Sequence, residues 1–397
     1  MFIEKNCKRC GVCMTRCPLS TISAEQAKEE IERMINSQGT EDRDITCLRC
    51  GYCNVICPAK ANPTDLRKEI LVRKSSTKGV QSLRLMCRET PMNLMNIALD
   101  FETKEKHKLL SEWENPPVSE TVFYLGCSVS CLHTDLAGTA LLDGLPVVGG
   151  IKYCCGDYVR TSFGEEEAAI KGRALLQEFN RTGIRKIITF CPNCDAMMRT
   201  VYPKIIPEFA IEVQNISEYL LEKHRAGALP FTHTINKKIA FHDPCGWRSV
   251  DEEVYEAPRK LLEAMGATVV EMKHNRRRSL CCGSPKGKTP LLADQLAENR
   301  VLEAREAGAD AIAVACTGCY SLSQKAAEHG MDVLNITELC QMGIGEKPKH
   351  RIIEVRDRLI LDIMQRMTDS PELFQKRYVL KQGKVETLDP TSKEGSL

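Results

Sequence analysis

A pattern of five cysteines occurs twice in this chain, in the same order and at similar spacing. Each copy begins with a single cysteine, continues with a Cys-Cys-Gly doublet and ends with a Cys-x-x-Cys pair. The first copy comprises Cys127, Cys154, Cys155, Cys191 and Cys194, and the second comprises Cys245, Cys281, Cys282, Cys316 and Cys319. An internal repeat of roughly 115 residues indicates one structural unit that is present twice. We therefore expect a duplicated domain whose thiols carry the function.

Short apolar segments lead into these cysteines and alternate with helical patterns. The predicted strands include 121–126, 186–190, 238–244 and 311–315. The predicted helices include 133–142, 165–179 and 291–307. Strands that alternate with helices favour parallel sheets covered by helices. Open α/β sheets carry their sites at the carboxyl ends of the strands, so each unit is expected to gather its thiols there.

Eight further cysteines lie in two N-terminal runs that share the spacing C-x2-C-x2-C-x3-C-P. In such a run, three close thiolates bind three corners of a [4Fe–4S] cube, and the fourth thiolate binds the other cube. The predicted ligand sets are Cys7, Cys10, Cys13 and Cys57 for one cube, and Cys47, Cys50, Cys53 and Cys17 for the other. Zinc is the alternative metal, but zinc sites use separated pairs of ligands.

The composition limits the class of protein and its compartment. The chain has 397 residues with 21 cysteines and a net charge of +2, and nucleic acid is excluded as the main partner because phosphate binding needs a basic surface. No apolar run approaches the ~18 residues of a transmembrane helix, and Met1–Asn6 lack the pattern of a signal peptide. Cysteines at metal-ligand spacing indicate a reducing cytoplasm rather than disulfides. Cys87 and Cys340 lie outside both patterns and are expected to be buried apolar residues.

The two five-cysteine units resemble the CCG domains of the heterodisulfide reductases, which occur in their B and D subunits. Similar domains occur in the C subunit of anaerobic glycerol-3-phosphate dehydrogenase and in the iron–sulfur subunits of glycolate and lactate oxidation. The N-terminal runs, with a predicted helix beginning at Ser23 between them, resemble the α-helical ferredoxin domain of succinate dehydrogenase iron–sulfur subunits. Taken together, residues 1–345 resemble the D subunit of the heterodisulfide reductases.

This resemblance implies an α+β multidomain fold. An α-helical two-cluster ferredoxin domain at residues 1–115 is expected before two pseudo-repeated α/β CCG domains at 116–234 and 235–345. A helical and polar tail is expected at 346–397. Each CCG motif of the heterodisulfide reductase type holds one noncubane [4Fe–4S] cluster. The implied cofactors are two cubane [4Fe–4S] clusters, and one or two noncubane [4Fe–4S] clusters.

The first CCG motif departs from the family in its spacing. Only 26 residues separate Cys127 from Cys154, against 35 between Cys245 and Cys281. Cys131 lies close by and is the alternative first ligand. Cys127 follows an apolar segment and a glycine, as the resemblance requires, so it is the preferred candidate.

By the same resemblance, the chain is an iron–sulfur subunit that reduces a disulfide of the CoM-S-S-CoB type, as in the anaerobic metabolism of methanogenesis. The resemblance places the disulfide between the two noncubane clusters. The residues implied as catalytic are Cys154, Cys155, Cys281 and Cys282, with His242 as a further candidate. The expected small-molecule partner is a disulfide or a thiol.

Electrons are expected to come from another protein, because the chain has no Gly-x-Gly-x-x-Gly motif after a strand. The donor would be a flavin or iron–sulfur protein, or a membrane cytochrome b. The protein is expected in the cytoplasm, either free or held on the inner face of the membrane by this partner. The second hypothesis is a non-catalytic electron-transfer subunit that links a dehydrogenase to a quinone or a membrane cytochrome.

Two features near the second doublet allow alternative interpretations. His242 comes shortly before Cys245, and it either donates a proton to a leaving thiolate or fixes the loop by a hydrogen bond. The basic stretch Arg276–Arg278, with Lys286 and Lys288, either binds an acidic thiol substrate or forms a solvated or docking surface.

Overall fold

Two four-stranded parallel sheets, each built from one cysteine repeat, form the centres of the fold in a computed structural model of this chain. The structure describes residues 1–36, 47, 49–90, 92–142, 144–284 and 290–388. They group into two units: the N-terminal unit comprises Met1–Leu71 and Leu220–Gly345, and the C-terminal unit comprises Val72–Tyr219 and Glu346–Leu397. This grouping is based on contacts in space and joins separate parts of the chain. It therefore does not test the expected domain boundaries at 115, 234 and 345, which stay predictions.

The sheet of the C-terminal unit contains the first repeat. Its strands are β1 (Thr121–Gly126), β2 (Val147–Gly149), β3 (Lys186–Thr189) and β4 (Glu212–Asn215). They lie in the order β2-β1-β3-β4, and each neighbouring pair is parallel. The five residues of β1 after Thr121 are all buried. Helices cover both faces of such a sheet, which explains why this strand is an unbroken apolar run.

The sheet of the N-terminal unit contains the second repeat and has the same topology. Its strands are β5 (Lys238–His242), β6 (Thr268–Val270), β7 (Ala311–Val314) and β8 (Asp332–Asn335). They lie in the order β6-β5-β7-β8, again with parallel neighbours. The expectation of two parallel-sheet domains that match the two repeats is thereby confirmed.

Helices complete both units. Those of the N-terminal unit are Val12–Thr15, Ala24–Ile35, Tyr52–Ile56, Glu256–Ala264, Pro290–Glu306, Ser323–Glu328 and Ile336–Gly343. Those of the C-terminal unit are Leu83–Met86, Leu94–Leu99, Lys104–Glu114, Ser128–Leu132, Asp157–Phe163, Glu165–Arg181, Pro192–Ala196, Tyr202–Ile205, Ile352–Asp369 and Pro371–Gln375. Two more, Pro63–Lys78 and Ile216–Arg225, contain the points where the chain passes between the units. None of the described helices is both long enough and apolar enough to cross a membrane.

The helix Ala24–Ile35 fixes the loop of the first cysteine run. Ser23 begins it with a capping box, in which its hydroxyl accepts a hydrogen bond from the backbone N–H of Gln26 at 3.2 Å. Gly11 packs against this helix so closely that a Cβ there would lie 2.7 Å from the Cβ of Ala27, and its φ of 71° also favours glycine. The first cysteine run is therefore closely packed against a regular helix.

Two segments differ from the sequence expectations. The helix predicted at 133–142 is wrong: the chain forms two 3-10 turns, Thr134–Leu136 and Ala140–Leu142, with Gly138 between them at a φ of 80°. The tail contains an antiparallel hairpin of β9 (Arg377–Lys381) and β10 (Lys384–Leu388), which the sequence did not predict. The polar end of the chain from residue 389 lies outside the described residues.

Candidate functional site

In each unit the sheet brings cysteines of the repeat to one edge. Cys127 directly follows β1, and Cys191 follows the neighbouring strand β3 with one residue between. In the N-terminal unit, Cys316 follows β7 in the same way, and Cys245 follows the neighbouring strand β5. Parallel neighbours end at the same edge of a sheet, which is where open α/β sheets carry their sites. The structure thus places these thiols where the strand pattern predicted.

The thiols of the second repeat contact one another. Hydrogen bonds from Cys281 and Cys319 lower the pKa of Cys282 well below that of a free thiol, although burial acts in the opposite direction. Contacts with Cys282 and Cys316 in turn raise the pKa of Cys319. The ligand atoms of His242, Cys282 and Cys319 all lie within 4.8 Å of one another. Because the thiolate is the form that binds metals, this buried group is suited to a metal centre.

His242 is held in one orientation beside Cys282. Its side chain is buried, and Nε of Arg300 donates a hydrogen bond to its Nδ1 at 3.3 Å. This leaves Nε2–H as the donor of the ring. Burial lowers the pKa of His242, although its hydrogen bond with Cys282 opposes that effect. A neutral imidazole that donates to Cys282 supports the interpretation that His242 fixes the site, and proton donation to a leaving thiolate stays a prediction.

The thiols of the first repeat form a similar group. A hydrogen bond from Cys127 lowers the pKa of Cys154 to about 6, although burial acts in the opposite direction. Contacts with Cys155 and Cys191 raise the pKa of Cys194 well above its usual range. In both repeats, thiols of the five-cysteine pattern therefore contact one another in the fold.

The geometry bears on the choice between Cys127 and Cys131 as first ligand. Cys127 bonds to the doublet through Cys154. Cys131 is 0% exposed, and burial raises its pKa to about 12, with Glu102 as the charged group that adds to this effect. The structure therefore brings Cys127 to the doublet, which supports its preference as a ligand.

The two repeats differ beside their cysteines. Tyr124 pairs with Thr189, two residues before Cys191, and His242 pairs with Val314, two residues before Cys316. Tyr124 and His242 therefore occupy equivalent positions in the two sheets. The hydroxyl of Tyr124 donates to the carbonyl oxygen of Tyr153, whereas His242 bonds to a thiol of its own site. At this position the second site thus has a side chain that bonds to a thiol, whereas the first site has a side chain that bonds to the backbone.

The N-terminal runs also form two groups of thiols. Cys57 and Cys10 lie near Cys7, and all three lie near Cys13, whose pKa is raised to about 11, chiefly by burial. The second group contains Cys17, Cys47, Cys50 and Cys53. The fourth cysteine of each run thus lies with the other run, as the predicted ligand sets require.

Comparison with known proteins agrees with this geometry. A model of the CCG family, described as a cysteine-rich domain, matches residues 123–199 and 239–322. The two matches coincide with the two parallel-sheet repeats. The chain is 28% identical over 256 residues to the D subunit of the dihydromethanophenazine:CoB–CoM heterodisulfide reductase of Methanosarcina barkeri, and the match covers 59% of this chain and 62% of that protein. The chain therefore contains two CCG cysteine-rich domains and is similar to the D subunit of heterodisulfide reductase.

Other relatives of this CCG-domain protein carry different names. It is 29% identical over 43% of its length to the EtfAB:quinone oxidoreductase of Syntrophomonas wolfei, and it covers 24% of that protein. It is 30% identical over 43% of its length to the probable iron-sulfur-binding oxidoreductase FadF of Bacillus subtilis, of which it covers 25%. The matched parts thus span between about a quarter and three fifths of these curated relatives. Their names support an oxidoreductase-type role.

Arg67 shows that the N-terminal thiol groups fit iron–sulfur clusters. It is only 6% exposed, and its Nε and Nη2 atoms have no hydrogen-bond partner within the described part of the chain. Burial alone would lower its pKa, but the thiolates of Cys47, Cys53, Cys17 and Cys13 raise it overall. A buried guanidinium without acceptors, placed among thiolates of both runs, requires additional acceptors there. The inorganic sulfides of [4Fe–4S] clusters are acceptors of this kind.

Most of the basic stretch after β6 is engaged inside the N-terminal unit. Arg276 forms ion pairs with Glu256 at 2.8 Å and with Glu271 at 3.3 Å. Arg277 donates a hydrogen bond to the carbonyl oxygen of Val250 at 2.7 Å. Of the three arginines, Arg278 is the exposed one, so the stretch as a whole is poorly placed to bind a free anion. Lys286 and Lys288 lie outside the described residues.

Cys87 and Lys171 belong to the surroundings of the first doublet, and the sequence reasoning missed both. Burial raises the pKa of Cys87 to about 12, and Cys154 is among the charged groups that add to this. Lys171 lies near enough to Cys154 to help lower its pKa. A single cysteine in a helical segment and a lysine on a long helix carry no local signal, because their placement depends on packing. Cys340 is fully buried in the helix Ile336–Gly343, where an apolar residue was predicted.

Proposed function

We propose that this chain is the iron–sulfur subunit that reduces a small-molecule disulfide at the cysteines of its CCG domains. The observation that carries the proposal is that both five-cysteine sets are complete and that, in each set, thiols of the doublet and of the Cys-x-x-Cys pair contact one another. Each set also contains one thiol with a depressed pKa, Cys154 at about 6 and Cys282 well below its usual range. Low-pKa thiolates bind metals and react with sulfur compounds.

The proposed cofactors are two cubane [4Fe–4S] clusters on the N-terminal runs and one noncubane [4Fe–4S] cluster on each CCG set. When bound, these groups would supply one-electron transfer. The protein side chains hold them and set their surroundings, which tune reduction potentials. On the second set, His242 donates a hydrogen bond towards Cys282 and Arg300 keeps its ring in place.

The substrate proposed is a disulfide of the CoM-S-S-CoB type, because a relative with this reaction in its name aligns with more than half of the chain. The electron donor proposed is a flavin or iron–sulfur protein, or a membrane cytochrome b. The chain would work in the cytoplasm, free or held on the inner face of the membrane by this donor.

The second candidate function is electron transfer without disulfide chemistry, to a quinone or a membrane cytochrome. The difference between the two repeats favours it, because Tyr124 in the first repeat occupies the position of His242 in the second. The name of the Syntrophomonas wolfei relative, an EtfAB:quinone oxidoreductase, also fits electron transfer to a quinone.

The two functions are separated by reducing the anaerobically purified protein and mixing it with oxidants. We expect about 16 irons per chain, four for each cluster, and reoxidation by a disulfide with two electrons per disulfide consumed. Absorbance in the visible range and electron paramagnetic resonance (EPR) report the reoxidation. Reoxidation by a quinone analogue, but by none of CoM-S-S-CoB, glutathione disulfide or cystine, would favour the electron carrier.

Matched cysteine variants complete this test. Cys282→Ala should abolish disulfide-dependent reoxidation, because it removes the thiol that contacts Cys281, Cys319 and His242 in the second set. Cys340→Ala also removes a buried thiol of the N-terminal unit, but that thiol lies in the helix Ile336–Gly343 outside the pattern. Its reoxidation should match that of the unchanged protein.

A further inference from the structure

Arg248 joins two cysteine loops within the N-terminal unit. It lies in the 3-10 turn Cys245–Ser249 of the second repeat. Its Nη1 donates to the carbonyl oxygen of Cys50, in the second N-terminal run, and its Nη2 donates to the carbonyl oxygen of Ser279, just before the second doublet. Its Nε donates to the carbonyl oxygen of Arg277 at 3.0 Å. One planar guanidinium therefore binds backbone from both kinds of cysteine site.

The side chain of Arg248 also packs against the second run and faces thiols on both sides. Its guanidinium carbon lies 5.7 Å from the centre of the Tyr52 ring, within the range of a cation–π contact. A Cβ on Gly51 would meet its Cδ at 3.5 Å. Burial alone would lower the pKa of Arg248, but negative charge on Cys50, Cys245 and Cys281 raises it overall. Its positive charge is therefore partly buried close to cysteines of both the second N-terminal run and the second repeat.

The first repeat has a different residue at this position. Ser130 stands three residues after Cys127, as Arg248 stands three residues after Cys245. The Ser130 hydroxyl donates to the carbonyl oxygen of Cys127 at 2.5 Å and accepts from the backbone N–H of Gly150 at 3.1 Å. These two bonds of Ser130 lie within the loops of its own repeat, whereas the residue at this position in the second repeat binds a loop of an N-terminal run.

We propose that Arg248 is a positioning residue that locks the Cys50 loop onto the cysteine loops of the second repeat, so that these two sites exchange electrons directly. The inference rests on the iron–sulfur part of the proposed function and deepens it by naming the contact through which electrons reach the second set. Electron exchange between metal centres weakens steeply with distance, so a side chain that fixes two loops together controls its rate. The permanent positive charge also stabilises the reduced form of both centres.

An arginine is required for this role by the geometry of its acceptors. Three carbonyl oxygens lie around one guanidinium, and they receive bonds from three different nitrogen atoms. The five donors of arginine lie in a fixed plane, whereas a lysine has one charged nitrogen at the end of a flexible chain. A lysine would thus retain the charge but would release at least one of the loops.

The test compares Arg248→Gln, Arg248→Lys and the control Arg278→Gln, in full-length protein reduced by less than one equivalent of dithionite. Arg278 is exposed and lies next to Ser279, so its removal takes one charge from the same loop without breaking a link. The first measurement is EPR of the magnetic coupling between the cluster on Cys17, Cys47, Cys50 and Cys53 and the centre on the second repeat. The second is the rate of electron equilibration between them by freeze-quench EPR, and the third is both midpoint potentials.

We expect Arg248→Gln to keep its iron, to lose the magnetic coupling and to slow equilibration by about tenfold or more, with both midpoint potentials lowered. Arg248→Lys should restore the potentials but leave equilibration slow, whereas Arg278→Gln should behave like the unchanged protein. No disulfide is added, so a failure of disulfide reduction would leave these results intact. Coupling and rate in Arg248→Gln equal to those of Arg278→Gln would overturn the proposal. Loss of iron from both Arg248 variants would also overturn it, because the role would then be structural.

Discussion

Nε of Arg300 donates a hydrogen bond to Nδ1 of His242 across 3.3 Å, and both side chains are buried in the N-terminal unit. The bond fixes the tautomer of His242, because an Nδ1 that accepts leaves the proton on Nε2. That proton is directed to the buried thiol group around Cys282. In the first repeat, Leu175 lies 16 residues before Cys191, as Arg300 lies 16 residues before Cys316, and so the first repeat has no arginine at this position.

The bond between His242 and Cys282 predicts an effect on reduction potential. His242→Phe should lower the midpoint potential of the centre on the second set, because a hydrogen bond to a sulfur ligand stabilises the reduced form. His242→Gln keeps a side-chain N–H donor and should shift the potential less. EPR-monitored redox titration measures both. Tyr124→Phe serves as the control, since its hydroxyl bonds to a backbone carbonyl in the other repeat. Equal potentials in His242→Phe and the unchanged protein would contradict the prediction.

The first ligand of the first CCG set is tested by two serine variants. Cys127→Ser should lower the iron content by about four per chain, the content of one cluster, because Cys127 bonds to the doublet. Cys131→Ser should retain the iron, although a polar hydroxyl in a fully buried position will reduce stability. Iron and acid-labile sulfide are measured after identical anaerobic purification. An iron loss confined to Cys131→Ser would reverse the assignment.

Arg67 should tune the clusters on the N-terminal runs. Arg67→Gln is expected to lower their midpoint potentials, because it removes a buried positive charge that faces thiolates of both runs. Arg16→Gln removes the same charge next to Cys17, but from an exposed side chain that water screens. Redox titration should therefore show a larger shift for Arg67→Gln. Similar shifts in the two variants would show that burial is irrelevant here.

The loop before Cys245 depends on a buried ion pair. The guanidinium of Arg259 binds both carboxylate oxygens of Asp243, at 2.8 and 2.9 Å, and Asp243 also accepts from the backbone N–H of Arg276. Asp243→Ala leaves Arg259 with Glu271 as its remaining ion-pair partner, and the loss of the buried hydrogen bonds to Asp243 should destabilise the protein by about 1–3 kcal/mol.

The apparent midpoint of thermal unfolding, followed by circular dichroism, measures this loss. Asp251→Ala is the matched control, because Asp251 is an exposed acid a few residues away in the same segment. If the two variants unfold at the same temperature, the ion pair contributes no net stability.

Much of the secondary structure near the cysteines could be predicted from local sequence. The apolar segments before Cys127 and Cys316 are strands, and the pattern at 291–307 is a helix within one residue. The helix prediction at 133–142 was wrong because Gly138 adopts a left-handed φ that interrupts a helix. The hairpin of β9 and β10 was missed because its few residues carry no strong alternation of apolar and polar positions.

The sequence by itself determined which thiols can bind one metal cluster, because the cysteines of each run are only a few residues apart in the chain. It also determined that the unit occurs twice, since the order of strands, helices and cysteines is a local pattern. Only the tertiary structure decided what surrounds those thiols. Arg248 and Cys50 are 198 residues apart in the chain. Their contact exists because the second N-terminal run and the second repeat pack into one unit. Such contacts depend on how whole elements pack together, and no short stretch of sequence encodes that.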